Sequence, residues 1–241
     1  MSRRDNRAIV ERRHSGAVDS DDALTALYRR LEFYPTPPWT GRAIGKFIQR
    51  LDPAARTVWE PACGQGHMAA SLAETFEVKA SDVHDYGYGQ VRDFLAPTEP
   101  EMRGDDPRLC DWIITNPPFR LAETFAHLGL KRARRGVALL CRLSFEQGGE
   151  RYPLLMRLSA QATFCERPSM RLGRWDPDLS TATPYALFVW MRRDAEAETP
   201  YAGVMAACRA AGGWWSTLIV PGTRDRLHHS EDVARFAGGV A

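Results

Sequence analysis

Two glycines, Gly64 and Gly66, separate a short apolar stretch from a helix-forming one in "VWEPACGQGHMA". A glycine pair between a strand and a helix lets the backbone approach a ligand closely, at the edge where open α/β sheets bind ligands. Ala69 stands where the dinucleotide-binding fingerprint has its third glycine, and no Gly-Lys-Ser/Thr follows, so the stretch is not a P-loop. Taken alone, the motif fits either a nucleotide site or an ordinary tight turn.

Two aspartates fall where the next two strands are expected to end. Asp82 comes 16 residues after Gly66, and a carboxylate at that position can accept both hydroxyls of a ribose. Asp93 can accept a hydrogen bond from an exocyclic adenine amine, while the next backbone N–H, that of Phe94, reaches a ring nitrogen. Taken singly, each aspartate is more simply a solvated turn acid. In register with the glycine turn, they predict a nucleoside-binding site.

A third feature is Asn116-Pro117-Pro118-Phe119, which follows the apolar run "DWIIT". Prolines do not continue a central strand, so the strand is expected to stop at Asn116. Taken alone, this is a strand ended by prolines with a packing aromatic.

The order of motifs resembles that of class I S-adenosylmethionine-dependent methyltransferases that methylate amino groups. The motifs are "FYPTP", "WEPACGQG", "SD", "DFL" and "NPPF", between residues 33 and 119, and "ERPSM" with "TPYALFVW" continues the likeness to about residue 192. The whole pattern is most similar to small DNA adenine-N6 methyltransferases of phages and prophages. The resemblance implies S-adenosyl-L-methionine as cofactor and DNA as substrate.

The resemblance also implies a function for each motif. Asn116 and the carbonyl of Pro117, held in place by the two prolines, accept hydrogen bonds from the target amine, and Phe119 stacks on the target base. Glu60 orients the methionine ammonium group. The residues assigned in this way to the cofactor are Tyr34, Thr36, Glu60, Pro61, Cys63, Gly64, Gly66, Asp82, Asp93, Phe94 and Asn116.

The expected activity is methyl transfer to N6 of adenine in DNA after the base is flipped out of the duplex. Three alternatives stay open: transfer to guanine N2 or adenine N6 of ribosomal RNA, transfer to a protein glutamine, and a non-catalytic binding module on the same scaffold. The position of "FYPTP" before the glycine turn favours DNA over RNA. No sizeable target-recognition region is evident, so loops 144–151 and 166–182 are the segments expected to reach DNA, the second with three arginines and Trp175.

Short apolar strands alternate with helices, a pattern typical of a parallel sheet covered on both faces. We therefore predict a Rossmann-like class I methyltransferase fold, with a mostly parallel seven-stranded sheet and one antiparallel edge strand. Helices are expected near 21–31 and over 40–51, the second with Thr40 as its N-cap. The predicted organisation is a flexible basic arm (1–22), a methyltransferase domain (23–194) and a C-terminal extension (195–241).

Composition excludes little. The net charge is +2 over 241 residues, and the five scattered cysteines include no CxxC pair, so free thiols and no metal site are expected. No signal peptide or membrane-spanning run is evident, so the expectation is a cytoplasmic protein without membrane contact. The basic cluster "KRARR" at 131–135 fits either a solvated helix end or a phosphate-contacting surface. The oligomeric state stays open.

Overall fold

A computed structural model describes residues 20–103 and 108–236 of the chain. The strands are β1 (Thr57–Glu60), β2 (Glu77–Asp82), β3 (Gln90–Val91), β4 (Cys110–Thr115), β5 (Ala133–Arg142), β6 (Ala160–Phe164), β7 (Tyr185–Met191) and β8 (Trp215–Ile219). The α-helices are α1 (Ser20–Leu31), α2 (Pro38–Leu51), α3 (His67–Leu72), α4 (Glu99–Arg103), α5 (Ala122–Arg132), α6 (Tyr152–Leu155), α7 (Arg193–Ala197), α8 (Ala202–Ala210), α9 (Thr223–Leu227) and α10 (Asp232–Phe236).

The strands form one sheet in the order β3-β2-β1-β4-β5-β7-β6-β8. Neighbouring strands pair in parallel except at β7, which is antiparallel to both β5 and β6. The predicted fold class, a Rossmann-like α/β methyltransferase fold with a mostly parallel sheet, is confirmed. Residues of β4 point alternately into two apolar cores, with Trp112 and Ile114 in one and Ile113 in the other. The sheet is therefore covered on both faces, as expected for parallel strands.

Two details of the predicted sheet are wrong. The antiparallel strand is not at the edge: β7 lies between β5 and β6, and all seven of its residues are buried. Its unbroken apolar sequence suits a strand covered on both faces. The sheet also has eight strands rather than seven, because β8, from the predicted C-terminal extension, pairs in parallel with β6 from Ala160 to Phe164.

The second helix begins two residues earlier than predicted, at Pro38, so Thr40 is not its N-cap. Proline at the first helical position is favoured because its φ angle already suits a helix and its missing N–H would have no partner there. Thr40 lies inside the first turn. Its hydroxyl oxygen is buried and finds no hydrogen-bond partner in the part of the chain that the structure describes.

The basic cluster at 131–135 does not form a free cationic surface. Arg132 is 1% exposed and donates to Glu101 at 2.7 Å. Arg135, at the start of β5, donates to both carboxylate oxygens of Asp52, at 2.7 and 2.8 Å. Both interpretations of the cluster, a solvated helix end and a phosphate contact, are therefore wrong for Arg132 because its guanidinium is buried in an ion pair.

The predicted N-terminal arm lies outside the described residues as far as position 19. Within the described ranges, none of the helices combines the length and apolar character that crossing a bilayer requires. The same ranges contain no cluster of three or more His, Cys, Asp or Glu side chains that could bind a metal ion.

Candidate functional site

A cavity of about 210 Å³ lies where β1, β2 and β4 end. This is the edge at which the sequence placed its site, because the carboxyl ends of parallel strands meet there. The predicted site residues that line the cavity are Tyr34, Thr36, Glu60, Pro61, Cys63, Gly64, Asp82, Asp93, Phe94, Asn116 and Pro118. The structure thus brings together residues from five separate motifs.

Three predicted site residues do not line this cavity. Gly66 lies within the turn, with a φ of +85°. Pro117 is buried, and Phe119 is partly buried beside the cavity, with its ring centroid 5.4 Å from that of Tyr34. Phe119 is therefore close to the site but belongs to its rim.

The glycine turn needs glycine for two reasons. Gly64 has a φ of +51°, a left-handed conformation that side chains disfavour. A Cβ atom on Gly64 would also lie 2.4 Å from Cε2 of Phe33, and one on Gly66 would lie 2.5 Å from the Tyr88 ring. The glycines were predicted to let a ligand approach the backbone closely. In the structure, the rings of Phe33 and Tyr88 pack against them. Phe33 belongs to residues 33–37, "FYPTP", which we call the strap.

Asp82 holds the glycine turn in shape. Its Oδ2 accepts the Gly64 N–H at 2.9 Å, and its Oδ1 accepts the His84 N–H at 3.1 Å. Burial raises the pKa of Asp82, and these backbone hydrogen bonds oppose that rise. Each oxygen keeps a second lone pair, so the carboxylate can still accept a ribose hydroxyl.

Glu60 is a buried acid with an unused oxygen. Its side chain is 2% exposed, and Oε2 has no hydrogen-bond partner among the residues described. Burial, together with the charge of Asp82, raises the pKa of Glu60 well above its ordinary value. An unpaired buried carboxylate is costly, so a cationic ligand group in the cavity would stabilise its charged form.

Asp93 and Phe94 occupy different environments. Asp93 is exposed at the cavity, and its Oδ1 accepts the Leu95 N–H at 2.8 Å. Phe94 is a core residue whose ring packs edge-on against Trp59 at 5.2 Å and lies 4.6 Å from the ring of Phe125. Its ring is therefore a fixed wall of the cavity.

The side chain of Asn116 has a defined orientation. Its Nδ2 donates to the Tyr34 carbonyl at 3.1 Å and to Oγ1 of Thr36 at 3.1 Å. A carbonyl oxygen only accepts, so the amide nitrogen must face Tyr34. Oδ1 of Asn116 then faces the other way, and it is buried without a partner among the described residues.

Sequence reasoning missed two neighbours of this asparagine and its motif, Met170 and Arg142. Met170 has its sulfur 3.4 Å from Asn116 Nδ2. The Arg142 guanidinium lies over the Phe119 ring, 4.2 Å from its centroid. Arg142 ends β5, next to β4, so its position at this edge could have been inferred. Met170 comes from a long loop and gave no such signal.

Trp175 does not serve as the exposed stacking residue expected of loop 166–182. It is 6% exposed and packs edge-on against Phe236 with ring centroids 6.5 Å apart. The exposed side chains of this loop include Arg167, Arg171 and Arg174. The loop therefore offers positive charge but not this aromatic surface.

No family model matches the chain, and no curated protein does. Among solved structures, it is similar to a modification subunit of a putative type I restriction enzyme from Vibrio vulnificus YJ016, with a TM-score of 0.50, 15% identity, and 95% of this chain and 60% of that one covered. A type I restriction-modification methyltransferase subunit from Streptococcus thermophilus gives a TM-score of 0.47 and 11% identity, with 65% of this chain and 44% of that one covered. A putative RNA methyltransferase from Pyrococcus horikoshii gives a TM-score of 0.48 and 13% identity, with 67% of this chain and 87% of that one covered.

The chain thus spans 44% and 60% of the lengths of the two restriction-type subunits. At such low identity the likeness concerns the fold. It agrees with the sheet described above, and the chain has the Rossmann-like α/β fold of methyltransferases.

Proposed function

We propose that this protein is an S-adenosylmethionine-dependent methyltransferase that acts on an exocyclic amine, with N6 of adenine in DNA as its substrate. The observation that carries the proposal is the Oδ1 atom of Asn116, which is buried, fixed in direction and without a partner among the described residues. An unsatisfied buried acceptor is costly, and such groups persist at functional sites.

The cavity residues suit the proposed cofactor. When bound, S-adenosylmethionine supplies an electrophilic methyl group on a sulfonium centre. The unpaired Oε2 of Glu60 would accept hydrogen bonds from its ammonium group, and Asp82 would accept ribose hydroxyls while keeping the glycine turn closed around Gly64. Asp93 and the Phe94 backbone N–H would contact the adenine.

The second proposed acceptor is the Pro117 carbonyl. The neighbouring Pro118 carbonyl already accepts the Leu121 N–H at 2.9 Å, whereas no backbone N–H of the described residues donates to Pro117. An exocyclic amine is a poor nucleophile because its lone pair is delocalised into the ring. Two fixed acceptors strengthen their hydrogen bonds to its protons as positive charge develops on nitrogen, with little reorganisation. Positioning supplies much of the rate, and no general base is assigned.

The rim of the cavity suits a flipped base. Phe119 would stack on it, and Arg142 now covers one face of that ring at 4.2 Å. A base that stacked on this face would displace the guanidinium. The strap precedes the glycine turn, as in the DNA adenine-N6 enzymes that the sequence resembles, and this order supports DNA over RNA or a protein glutamine.

The test is methyl transfer with labelled S-adenosylmethionine to unmethylated duplex DNA, single-stranded DNA, ribosomal RNA and a protein extract in parallel. Mass spectrometry of the digested products is expected to show N6-methyladenine in DNA. Asn116→Ala should lower kcat about 10²–10³-fold, as removal of one preorganised hydrogen-bonding group does. It should leave the cofactor dissociation constant within a few-fold.

Other outcomes would identify the alternatives. Transfer to ribosomal RNA or to glutamine would replace DNA as the substrate. Cofactor binding without transfer to any polymer would favour a non-catalytic module. An equal loss of transfer and cofactor affinity in Asn116→Ala would contradict its assignment as the acceptor for the amine.

A further inference from the structure

We infer that Thr36 is a positioning residue that aims the Asn116 side chain, an inference that rests on the function proposed above. Sequence resemblance assigned Thr36 to the cofactor. The structure instead directs its hydroxyl oxygen toward Nδ2 of Asn116, 3.1 Å away.

The Asn116 amide has two N–H groups and finds two oxygen acceptors in the strap. One is the Tyr34 carbonyl and the other is Oγ1 of Thr36. The Met170 sulfur at 3.4 Å is a weaker third acceptor. Because both hydrogens are engaged, turning the amide over would place Oδ1 against the Tyr34 carbonyl and leave its hydrogens without these partners. The strap therefore keeps Oδ1 turned away from the Tyr34 carbonyl and the Thr36 hydroxyl.

Thr36 is itself held rigidly. It is 4% exposed and lies between Pro35 and Pro37, which are also buried. Proline fixes its own φ and restricts the residue before it, and a β-branched side chain has few χ1 choices. The hydroxyl thus occupies a position that the backbone determines.

Thr36→Val tests this assignment because it removes the hydroxyl and keeps the shape. The expected result is a fall in kcat of about tenfold, the worth of one buried hydrogen bond. The cofactor dissociation constant should change less than twofold. Thr36→Ser should restore kcat, since it restores the acceptor. Thr40→Val is the matched control, because Thr40 is equally buried and its hydroxyl has no partner among the described residues.

A second readout does not depend on activity. The chain has only two asparagines, Asn6 and Asn116, so asparagine-selective ¹⁵N labelling gives two pairs of side-chain amide signals, and Asn116→Ala assigns them. In the wild type both Asn116 side-chain protons should exchange slowly with solvent. In Thr36→Val one of them should exchange at least about tenfold faster, because it has lost an acceptor.

The outcomes distinguish a failure of the inference about Thr36 from a failure of the proposed function. A wild-type protein that transfers no methyl group would refute the proposed function, while the exchange measurement would still test the contact between Thr36 and Asn116. An active wild type with unchanged kcat and a weakened cofactor affinity in Thr36→Val would make Thr36 a cofactor contact. Failure of Thr36→Ser to restore kcat, or an equal loss in Thr40→Val, would show a packing effect. Each of these last results would overturn the inference.

Discussion

Replacing Gly64 by alanine tests whether the strap packs on the glycine turn as the structure shows. Two costs are expected. The φ of +51° imposes a left-handed conformation, which costs an L-residue about 1–2 kcal/mol. The new Cβ would lie 2.4 Å from Cε2 of Phe33, far inside the ordinary carbon contact distance, and overpacking of this kind costs about 1–3 kcal/mol. The expected loss of unfolding free energy is therefore about 2–5 kcal/mol.

A double-mutant cycle separates the two costs. Phe33→Leu removes the ring atoms that clash and keeps an apolar side chain, so Gly64→Ala in that background should cost only the conformational part, about 1–2 kcal/mol. Gly87→Ala is the matched control, because Gly87 has a φ of +75° and its added Cβ would meet nothing within 4 Å. It should show the conformational cost alone.

Urea unfolding of the wild type, the three single variants and the double variant measures these free energies. If Gly64→Ala costs the same with and without the Phe33 ring, that ring does not pack on the turn. If it costs no more than Gly87→Ala, the clash is absent. Either result would refute the contact between the strap and the glycine turn.

Two further predictions concern the surroundings of the site. Burial lowers the pKa of His67 to about 4, below its value of about 6.5 in the unfolded chain. The contribution of His67 to the free energy of unfolding is therefore constant above about pH 6.5 and falls by up to about 1.4 kcal/mol per pH unit as the pH drops from about 6.5 to about 4. His67→Gln should flatten this slope in urea unfolding at several pH values, and an identical slope would assign it to other groups. Arg142→Ala should tighten binding of 2-aminopurine riboside about two- to fivefold, because the arginine no longer covers Phe119. Weaker binding in a fluorescence titration would show that Arg142 holds the base.

The strand-end residues were predictable because a parallel sheet gathers its carboxyl ends at one edge. Glu60 and Asp82 end short strands and Asn116 directly follows one, so their convergence on one cavity needed only the sequence and that rule. The antiparallel strand β7 was wrongly predicted to lie at the sheet edge, although its seven consecutive apolar residues suit burial on both faces.

Other features depend on contacts between distant segments. Arg132 is buried because Glu101 reaches it across 31 residues, and the composition of "KRARR" gives no sign of that partner. Trp175 is buried because Phe236, close to the C-terminus, packs on it. The pairing of β8 with β6 likewise joins segments whose patterns do not specify each other.

The strap links the two halves of the site. Through Phe33 it contacts the glycine turn, and through Tyr34 and Thr36 it orients Asn116. Its preceding residue, Glu32, accepts a hydrogen bond from Arg120 Nε at 2.7 Å, and Arg120 directly follows Phe119. The strap is thus fastened to the "NPPF" segment at more than one point. A movement of the strap that opened the cavity near the glycine turn would also shift Asn116, the proposed acceptor for the amine, so the strap must be in place for both parts of the site to be correctly arranged.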